Sequence, residues 1–194
     1  MLNKRKISVI GGAGHVGFPL GLIFSSKGFL VKLIDKNKKN INKINSGISP
    51  FLEEGSEQLL SRMLKKKSLE ATNNLVHVKN SKFIIVCIGT PIDHTLNPEL
   101  KNFLNFFKNL KKYISNDQII IIRSSIYPGI CEKVYSIIKS KNKNLSYCPE
   151  RIVQGKSIVE LPNISQLISG KNQISINQSS KLFKNICKRI IKVK

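Results

Sequence analysis

The sequence predicts an α/β fold, a doubly wound parallel sheet with helices on both faces. Short apolar runs alternate with amphipathic stretches along the chain, which is the rhythm of strands joined by crossover helices. One run, residues 119–122, is four consecutive isoleucines, typical of a strand buried on both faces. With 194 residues and 41% hydrophobic composition, the chain can form one domain with a full core.

The elements follow from these runs and from the glycines and prolines that end them. The predicted strands are residues 7–10, 29–34, 75–78, 83–88, 118–123, 145–147, 166–169 and 189–193. The predicted helices are residues 14–26, 36–45, 56–67, 99–113, 128–139 and about 175–188. The first helix is expected to carry its apolar residues on one side, and Ser56 is a candidate N-cap of the third. No repeat, linker or internal domain boundary is evident.

A glycine-rich loop follows the first strand and matches the pattern GxGxxG, Gly12-Ala13-Gly14-His15-Val16-Gly17. In such a loop the glycines allow a tight turn, close approach to a pyrophosphate, and close packing of helix on strand. The second strand ends at Asp35, at the usual distance for a carboxylate that binds the adenosine ribose and repels a 2′-phosphate. The loop predicts a Rossmann-type fold that binds NAD rather than NADP. Lys36 could weaken that preference, and the alternative is a tight βα turn without a ligand.

Further motifs follow in order. They are Phe18-Pro19-Leu20, residues 45–55 with the sequence NSGISPFLEEG, Ile88-Gly89-Thr90-Pro91, Arg123-Ser124-Ser125-Ile126-Tyr127-Pro128-Gly129, and residues 147–156 with the sequence YCPERIVQGK. Together with the glycine loop they resemble the UDP-glucose/GDP-mannose dehydrogenase family over nearly the whole chain. The CPER form resembles the UDP-N-acetylmannosamine dehydrogenase branch, because UDP-glucose dehydrogenases usually carry NPEF there.

The resemblance implies an activity and roles for individual residues. The family oxidises the C6 alcohol of a nucleotide sugar to a carboxylate for polysaccharide biosynthesis, reducing two NAD while a cysteine captures the aldehyde. By this resemblance Thr90, Pro91, Ser124 and Ser125 contact the cofactor, and Ser125 orients water or the nicotinamide. Glu150 helps to activate the hydrolytic water, and it binds substrate together with Arg151 and Gly155. The alternatives are that the two serines cap the helix near Pro128, and that Glu150 is a surface carboxylate paired with lysine.

The resemblance also implies missing parts. The nucleophilic cysteine, the central helix that makes relatives homodimers, and the C-terminal UDP-binding domain lie further on in relatives, so residues 1–194 correspond to the NAD-binding domain. None of Cys87, Cys131, Cys148 and Cys187 has the nucleophile's context. The chain alone is therefore expected to be inactive. A gene fragment, a split enzyme with a separately encoded C-terminal half, a non-catalytic NAD-binding module and a UDP-glucose 6-dehydrogenase fragment remain open.

The charge does not predict a nucleic-acid partner. The formal net charge is +22, from 33 Lys and Arg against 11 acidic residues, but the basic residues are almost all lysines spread over every segment. A compositional bias explains this better than a binding patch, since no nucleic-acid-binding motif accompanies it. The cysteines form no CxxC pair or metal-ligand spacing, which predicts free thiols and no metal. Without a signal peptide or membrane span, a cytoplasmic protein without a membrane partner is expected.

Overall fold

The computed structural model describes residues 5–90 and 100–193. Pro91, a predicted cofactor contact, and Glu99, the first residue of a predicted helix, lie outside these ranges. The strands are β1 Lys6–Ile10, β2 Leu30–Ile34, β3 Leu69–Thr72, β4 Phe83–Val86, β5 Ile119–Ile122, β6 Leu145–Tyr147, β7 Gln166–Gly170 and β8 Ile190–Lys192. The helices are α1 Gly17–Ser26, α2 Lys38–Asn45, α3 Ser56–Lys65, α4 Leu100–Leu110, α5 Ile130–Ile138, α6 Ser157–Glu160, α7 Gln173–Phe183 and a 3-10 helix Leu75–Asn80.

The predicted fold class is confirmed. The described strands form one sheet in the order β3-β2-β1-β4-β5-β6-β7-β8. The first six strands in this order, β3-β2-β1-β4-β5-β6, are all parallel to one another, which is the Rossmann-type arrangement. Ile119 and Ile121 belong to a core that also contains side chains of α1, α2, α3 and α7. Ile120 and Ile122 belong to a second core with α4 and α5. Helices therefore cover both faces, as the four isoleucines predicted.

The last part of the sheet departs from the expected parallel arrangement. β7 pairs antiparallel with β6, with Tyr147 opposite Ser169. Residues 148–165 do not cross back over the sheet. They begin at the carboxyl end of β5, where the Glu150 N–H donates to the Arg123 carbonyl oxygen at 3.3 Å. β7 therefore starts at that edge and runs in the opposite direction.

The strand predicted at residues 75–78 is wrong: this segment is the 3-10 helix. The side-chain oxygen of Asn74 accepts a hydrogen bond from the Val76 N–H at 2.9 Å and caps it. The strand itself, β3, lies just before it and, among the strands that the structure describes, pairs only with β2. It alternates buried and less buried residues and contains one β-branched residue, Thr72, so its sequence signal is weak.

Two helix predictions also need correction. α1 begins at Gly17 rather than Gly14, and every residue from Gly17 to Ser25 is buried. An apolar stripe on one side was therefore the wrong expectation, because this helix is enclosed all round. Ser56 is the first residue of α3 and not its cap: the N-cap is Gly55 at φ 76°, while the Ser56 hydroxyl donates to the Ser49 hydroxyl oxygen at 3.1 Å.

Candidate functional site

The glycine loop connects β1 to α1 through close backbone contacts. A Cβ on Gly12 would lie 2.7 Å from the Val9 carbonyl oxygen and 2.8 Å from the Leu33 Cα. A Cβ on Gly17 would overlap the Gly11 carbonyl oxygen. Real Cβ atoms do not approach other atoms this closely, so packing alone requires glycine at both positions.

Gly14 differs from its two neighbours in the motif. A Cβ there would meet only the Gly11 carbonyl oxygen, at 3.3 Å, and Gly14 lines a cavity of about 610 Å³. The cavity lies at the carboxyl ends of β1, β2 and β4, where the strand order reverses and open α/β sheets bind ligands. Its lining combines apolar and aromatic side chains with one carboxylate: Ile10, Gly11, Gly14, Ile34, Asp35, Lys36, Asn73, Leu75, Cys87, Ile88, Gly89, Asn102, Phe103 and Phe106.

Asp35 holds the glycine loop as well as lining the cavity. Its Oδ2 accepts a hydrogen bond from the Ala13 N–H at 3.0 Å, and its Oδ1 accepts one from the Asn37 N–H at 3.0 Å. The Asn40 side-chain amide donates to the Ala13 carbonyl oxygen at 3.1 Å, so both backbone polar groups of Ala13 are fixed. Each carboxylate oxygen has two lone-pair sites, which leaves acceptor capacity for two ribose hydroxyls.

The other loop residues are placed by packing. His15 is exposed, and its ring stacks on that of Phe51 with the centroids 3.9 Å apart. Val16 is the N-cap residue of α1 in the right-handed helical region. The cavity, the position of Gly14 in its wall and the N-terminus of α1 together fit the adenosine and pyrophosphate of a dinucleotide.

The motifs that follow β4 and β5 form one hydrogen-bonded cluster. The Thr90 hydroxyl donates to the Ser125 carbonyl oxygen at 2.6 Å, and the Ser124 hydroxyl donates to the Ile88 carbonyl oxygen at 2.6 Å. Neither serine caps α5, whose N-cap is Gly129 at φ 84° without a side-chain cap. The capping interpretation was therefore wrong, and the Ser125 side chain is exposed.

Glu150 pairs with an arginine that follows the four buried isoleucines. Its Oε2 lies 2.5 Å from Arg123 Nη2 and accepts a hydrogen bond from Arg123 Nε at 2.8 Å. Its Oε1 accepts one from the Arg151 N–H at 2.8 Å. The Arg123 side chain is 1% exposed and that of Glu150 is 15% exposed. The alternative of a surface carboxylate paired with lysine was therefore wrong.

Arg123 is fully partnered inside the protein. Its Nη1 donates to Gln166 Oε1 at 2.9 Å and to the Cys148 carbonyl oxygen at 3.4 Å. Its Cζ lies 5.3 Å from the centroid of the Phe183 ring, within cation–π range. This network joins β5, β7 and α7 beneath the segment that carries Glu150.

The two other predicted substrate contacts lie on residues 151–156. Arg151 is exposed, and its guanidinium donates to the Ser165 carbonyl oxygen. Gly155 has φ 88°, and its carbonyl oxygen accepts a hydrogen bond from the Glu54 N–H at 3.0 Å. The structure thus brings Glu150, Arg151 and Gly155 onto one loop, beside the cluster that contains Ser125.

Sequence reasoning missed several residues that build this region. Arg123 was quoted within a motif, but the sequence analysis assigned it no role. A cation directly after four apolar residues indicates a buried charge, which needs a partner of opposite charge. The carboxylate of Glu150 was the obvious candidate. Gln166 gave no signal, since a glutamine that opens a short strand has no distinctive pattern.

The four cysteines are free thiols with raised pKa values. Burial raises the pKa of Cys87 to about 12 and those of Cys131 and Cys187 to about 11. Burial also raises the pKa of Cys148, beside Glu150. A thiol is nucleophilic as thiolate, so the environments of these four side chains oppose that role.

Within residues 5–90 and 100–193, no group of three or more His, Cys, Asp or Glu side chains could hold a metal ion. Over the same part of the chain, every helix is too short or too polar to cross a bilayer.

Known proteins share these features. The model of the "UDP-glucose/GDP-mannose dehydrogenase family, NAD binding domain" matches residues 5–187. UDP-N-acetyl-D-mannosamine dehydrogenase of Pyrococcus horikoshii is 27% identical over 190 residues, covering 94% of this chain and 45% of the relative. The enzyme of that name from Methanococcus vannielii is 29% identical over 185 residues, covering 93% and 42%. The solved UDP-D-ManNAc dehydrogenase of Pyrococcus horikoshii superposes with TM-score 0.89 at 27% identity, covering 97% and 47%.

The chain spans less than half the length of these relatives. The matched part contains the glycine loop, Asp35 and the cavity between them, which confirms NAD as the cofactor. The chain belongs to the UDP-glucose/GDP-mannose dehydrogenase family, as its NAD-binding domain.

Proposed function

We propose that this chain is the NAD-binding part of a nucleotide-sugar 6-dehydrogenase that converts UDP-N-acetylmannosamine to UDP-N-acetylmannosaminuronate for polysaccharide biosynthesis. The observation that carries the proposal is the position of the Ser125 and Glu150 cluster. Ser125 follows β5, directly beside β4, whose carboxyl end lines the cofactor cavity. Glu150 follows β6, and its ion pair with Arg123 holds it at the carboxyl end of β5. A sugar held against Glu150 would therefore lie next to the nicotinamide end of the dinucleotide.

Each side chain then has a defined task. NAD, when bound, supplies the hydride acceptor. Glu150 Oε1 retains a lone pair beside its bond to the Arg151 N–H and would hold the hydrolytic water, while the exposed Ser125 hydroxyl would orient that water or the nicotinamide. Gly155 and its neighbours would bind the substrate through backbone amides. Arg123 would hold the Glu150 carboxylate in place through its two contacts with Oε2.

The chain alone is expected not to complete the reaction. Oxidation to the carboxylate requires a thiolate to capture the aldehyde, and burial raises the pKa of every thiol in this chain. The nucleophile would come from a second polypeptide region that corresponds to the remaining half of the relatives. Leu52 and Val153 are 93% and 66% exposed on neighbouring segments, an apolar surface that such a region could cover.

We assign the reaction to the cytoplasm, because reducing compartments keep cysteines as free thiols, the form all four have here.

NADH formation by the purified chain with UDP-N-acetylmannosamine and with UDP-glucose tests the function. We expect no turnover with either sugar, and turnover with UDP-N-acetylmannosamine once a polypeptide corresponding to the remaining half of the relatives is added.

The outcomes separate the alternatives. Turnover by the chain alone would mean that it contains a nucleophile, with Cys148 as the first residue to replace. Preference of the reconstituted enzyme for UDP-glucose would identify a UDP-glucose 6-dehydrogenase. An NAD-binding chain that stays inactive with every C-terminal half would be a non-catalytic module.

A further inference from the structure

Residues 49–55, called the strap below, lie between the two functional loops. They follow α2 and end at Gly55, the N-cap of α3. Phe51 contacts the glycine loop, and Glu53 and Glu54 contact the substrate-side loop, residues 150–158. The two contact points, Phe51 and Glu53, are only two residues apart in the chain.

Phe51 is the contact with the cofactor loop. Its ring stacks on His15 with the centroids 3.9 Å apart and the planes at 29°. Its edge packs against Phe18 of α1, 5.6 Å away at 85°, and Phe18 is completely buried. His15 belongs to the glycine loop, so a change in that loop changes the surface against which Phe51 packs.

Glu53 is the contact with the substrate-side loop. It is 4% exposed, and its Oε1 accepts a hydrogen bond from the Ile158 N–H at 3.1 Å. Its Oε2 is buried without a hydrogen-bond donor among the residues that the structure describes. Next to it, the Glu54 N–H donates to the Gly155 carbonyl oxygen at 3.0 Å. Two hydrogen bonds thus fasten the substrate-side loop to the strap.

A neutral residue would serve stability better at position 53. A buried carboxylate with one unsatisfied oxygen is costly, whereas a bond from a backbone N–H to a charged acceptor is stronger than one to a neutral acceptor. Glu53 therefore holds Ile158 firmly at the expense of fold stability. Such a loss of stability is expected where the position of a loop matters more than the free energy of unfolding.

We propose that the strap couples NAD binding to the order of the substrate-side loop, with Phe51 and Glu53 as positioning residues. When the dinucleotide fixes the glycine loop, His15 and Phe51 become fixed, and Glu53 then holds residues 155–158 in one arrangement. A loop that is already ordered costs less entropy when substrate binds, so the sugar would bind more tightly after NAD. The inference rests on the proposed function only for the role of residues 150–158 in binding substrate.

Hydrogen exchange of peptides covering residues 150–158 tests the coupling, with NAD binding followed in parallel by calorimetry. In the wild-type chain we expect saturating NAD to slow this exchange about fivefold, the lower end of typical coupling between sites. Phe51→Ala should still bind NAD but lose the slowing. Unchanged exchange of wild type with NAD bound, or normal slowing in Phe51→Ala, would overturn the coupling.

A second arm tests Glu53 without any cofactor. Glu53→Ala should speed exchange at residues 155–158 about tenfold, as expected for loss of a hydrogen bond to a charged acceptor. Glu53→Gln keeps an acceptor for the Ile158 N–H, but an uncharged one, and should restore only part of the wild-type protection. Glu54→Ala is the matched control, because its contribution is a backbone N–H that alanine retains. Equal exchange in Glu53→Ala and wild type would refute the role of Glu53, whatever the result of the activity assay.

Discussion

The loop after β1 is shaped by close contacts between backbone atoms, whereas the loops at the carboxyl end of β5 are held by a buried ion pair. The cofactor side, β1–β4 with residues 11–17, needs Gly12 and Gly17 because a Cβ would collide there. The substrate side, β5–β8 with residues 148–165, depends on the contact of Arg123 with Glu150. The steric requirement for glycine produces a local motif that can be recognised in the sequence. An ion pair between residues far apart in the chain produces no such motif.

The largest expected effect is on the substrate side. Glu150→Ala leaves the guanidinium of Arg123, 1% exposed, without its anion, and we expect the free energy of unfolding to fall by about 3 kcal/mol. Urea denaturation measures this. Glu132→Ala is the control, because Glu132 and Lys171 form an exposed pair at 2.7 Å that is worth less than about 1 kcal/mol. A similar fall in the free energy of unfolding in both variants would mean that the buried pair of Arg123 and Glu150 stabilises the fold no more than an exposed ion pair does.

On the cofactor side, two glycine substitutions should separate packing from binding. Gly17→Ala forces a Cβ onto the Gly11 carbonyl oxygen and should destabilise the fold by about 1–3 kcal/mol. Among the described residues, the Cβ of Gly14→Ala would meet only the Gly11 carbonyl oxygen, at 3.3 Å, so the loss of stability should be smaller than for Gly17→Ala. NAD affinity should fall about tenfold, because the approach to the loop backbone is obstructed. Thermal unfolding and calorimetry with NAD measure both. Unaltered NAD binding by Gly14→Ala would contradict the assignment of the pyrophosphate site.

The contrast between local steric requirements and contacts of distant residues also explains which features of the fold and the site could be predicted from the sequence. The four isoleucines of β5 and the glycine loop identified the sheet, its central strands and the cofactor loop, because burial and sterics act on neighbouring residues. β3 was missed since it has one neighbouring strand and a single β-branched residue, and Asn74 turns the next segment into a 3-10 helix. The antiparallel β7 and the partners of Glu150 depend on contacts between residues far apart in the chain, which local patterns do not report.

Replacement of Asp35 should weaken NAD binding about as much as Gly14→Ala does. Asp35→Ala removes the acceptor for the ribose hydroxyls, and we expect NAD to bind about tenfold more weakly, with NADP affected less because the repulsion of its 2′-phosphate is also removed. The variant also frees the Ala13 N–H. Asn40→Ala controls for that, since it releases the Ala13 carbonyl oxygen and leaves the carboxylate in place. Calorimetry giving equal NAD affinity for Asp35→Ala and wild type would refute the assignment.

The last expected effect is on thiol chemistry, and it compares the cofactor side with the substrate side directly. Cys87 lines the cofactor cavity, while Cys148 and Cys187 belong to the substrate side. Burial raises the thiol pKa on both, to about 12 for Cys87 and about 11 for Cys187, from an ordinary value of 9.0. Folding thus favours the protonated thiol, and the stability this contributes is lost as the pH rises from about 9 towards 12.

Alkylation with iodoacetamide at neutral pH, followed by mass spectrometry of each cysteine peptide, measures this difference. A rise of about two pKa units lowers the thiolate fraction about 100-fold, while the more basic thiolate is intrinsically about tenfold more nucleophilic. Each thiol should therefore react at least about tenfold more slowly in the folded chain than in urea. The difference should shrink as the pH rises towards 11. If Cys148 instead reacts as fast in the folded chain as in urea, the substrate side contains an activated thiol, and its replacement by serine becomes the decisive test of activity.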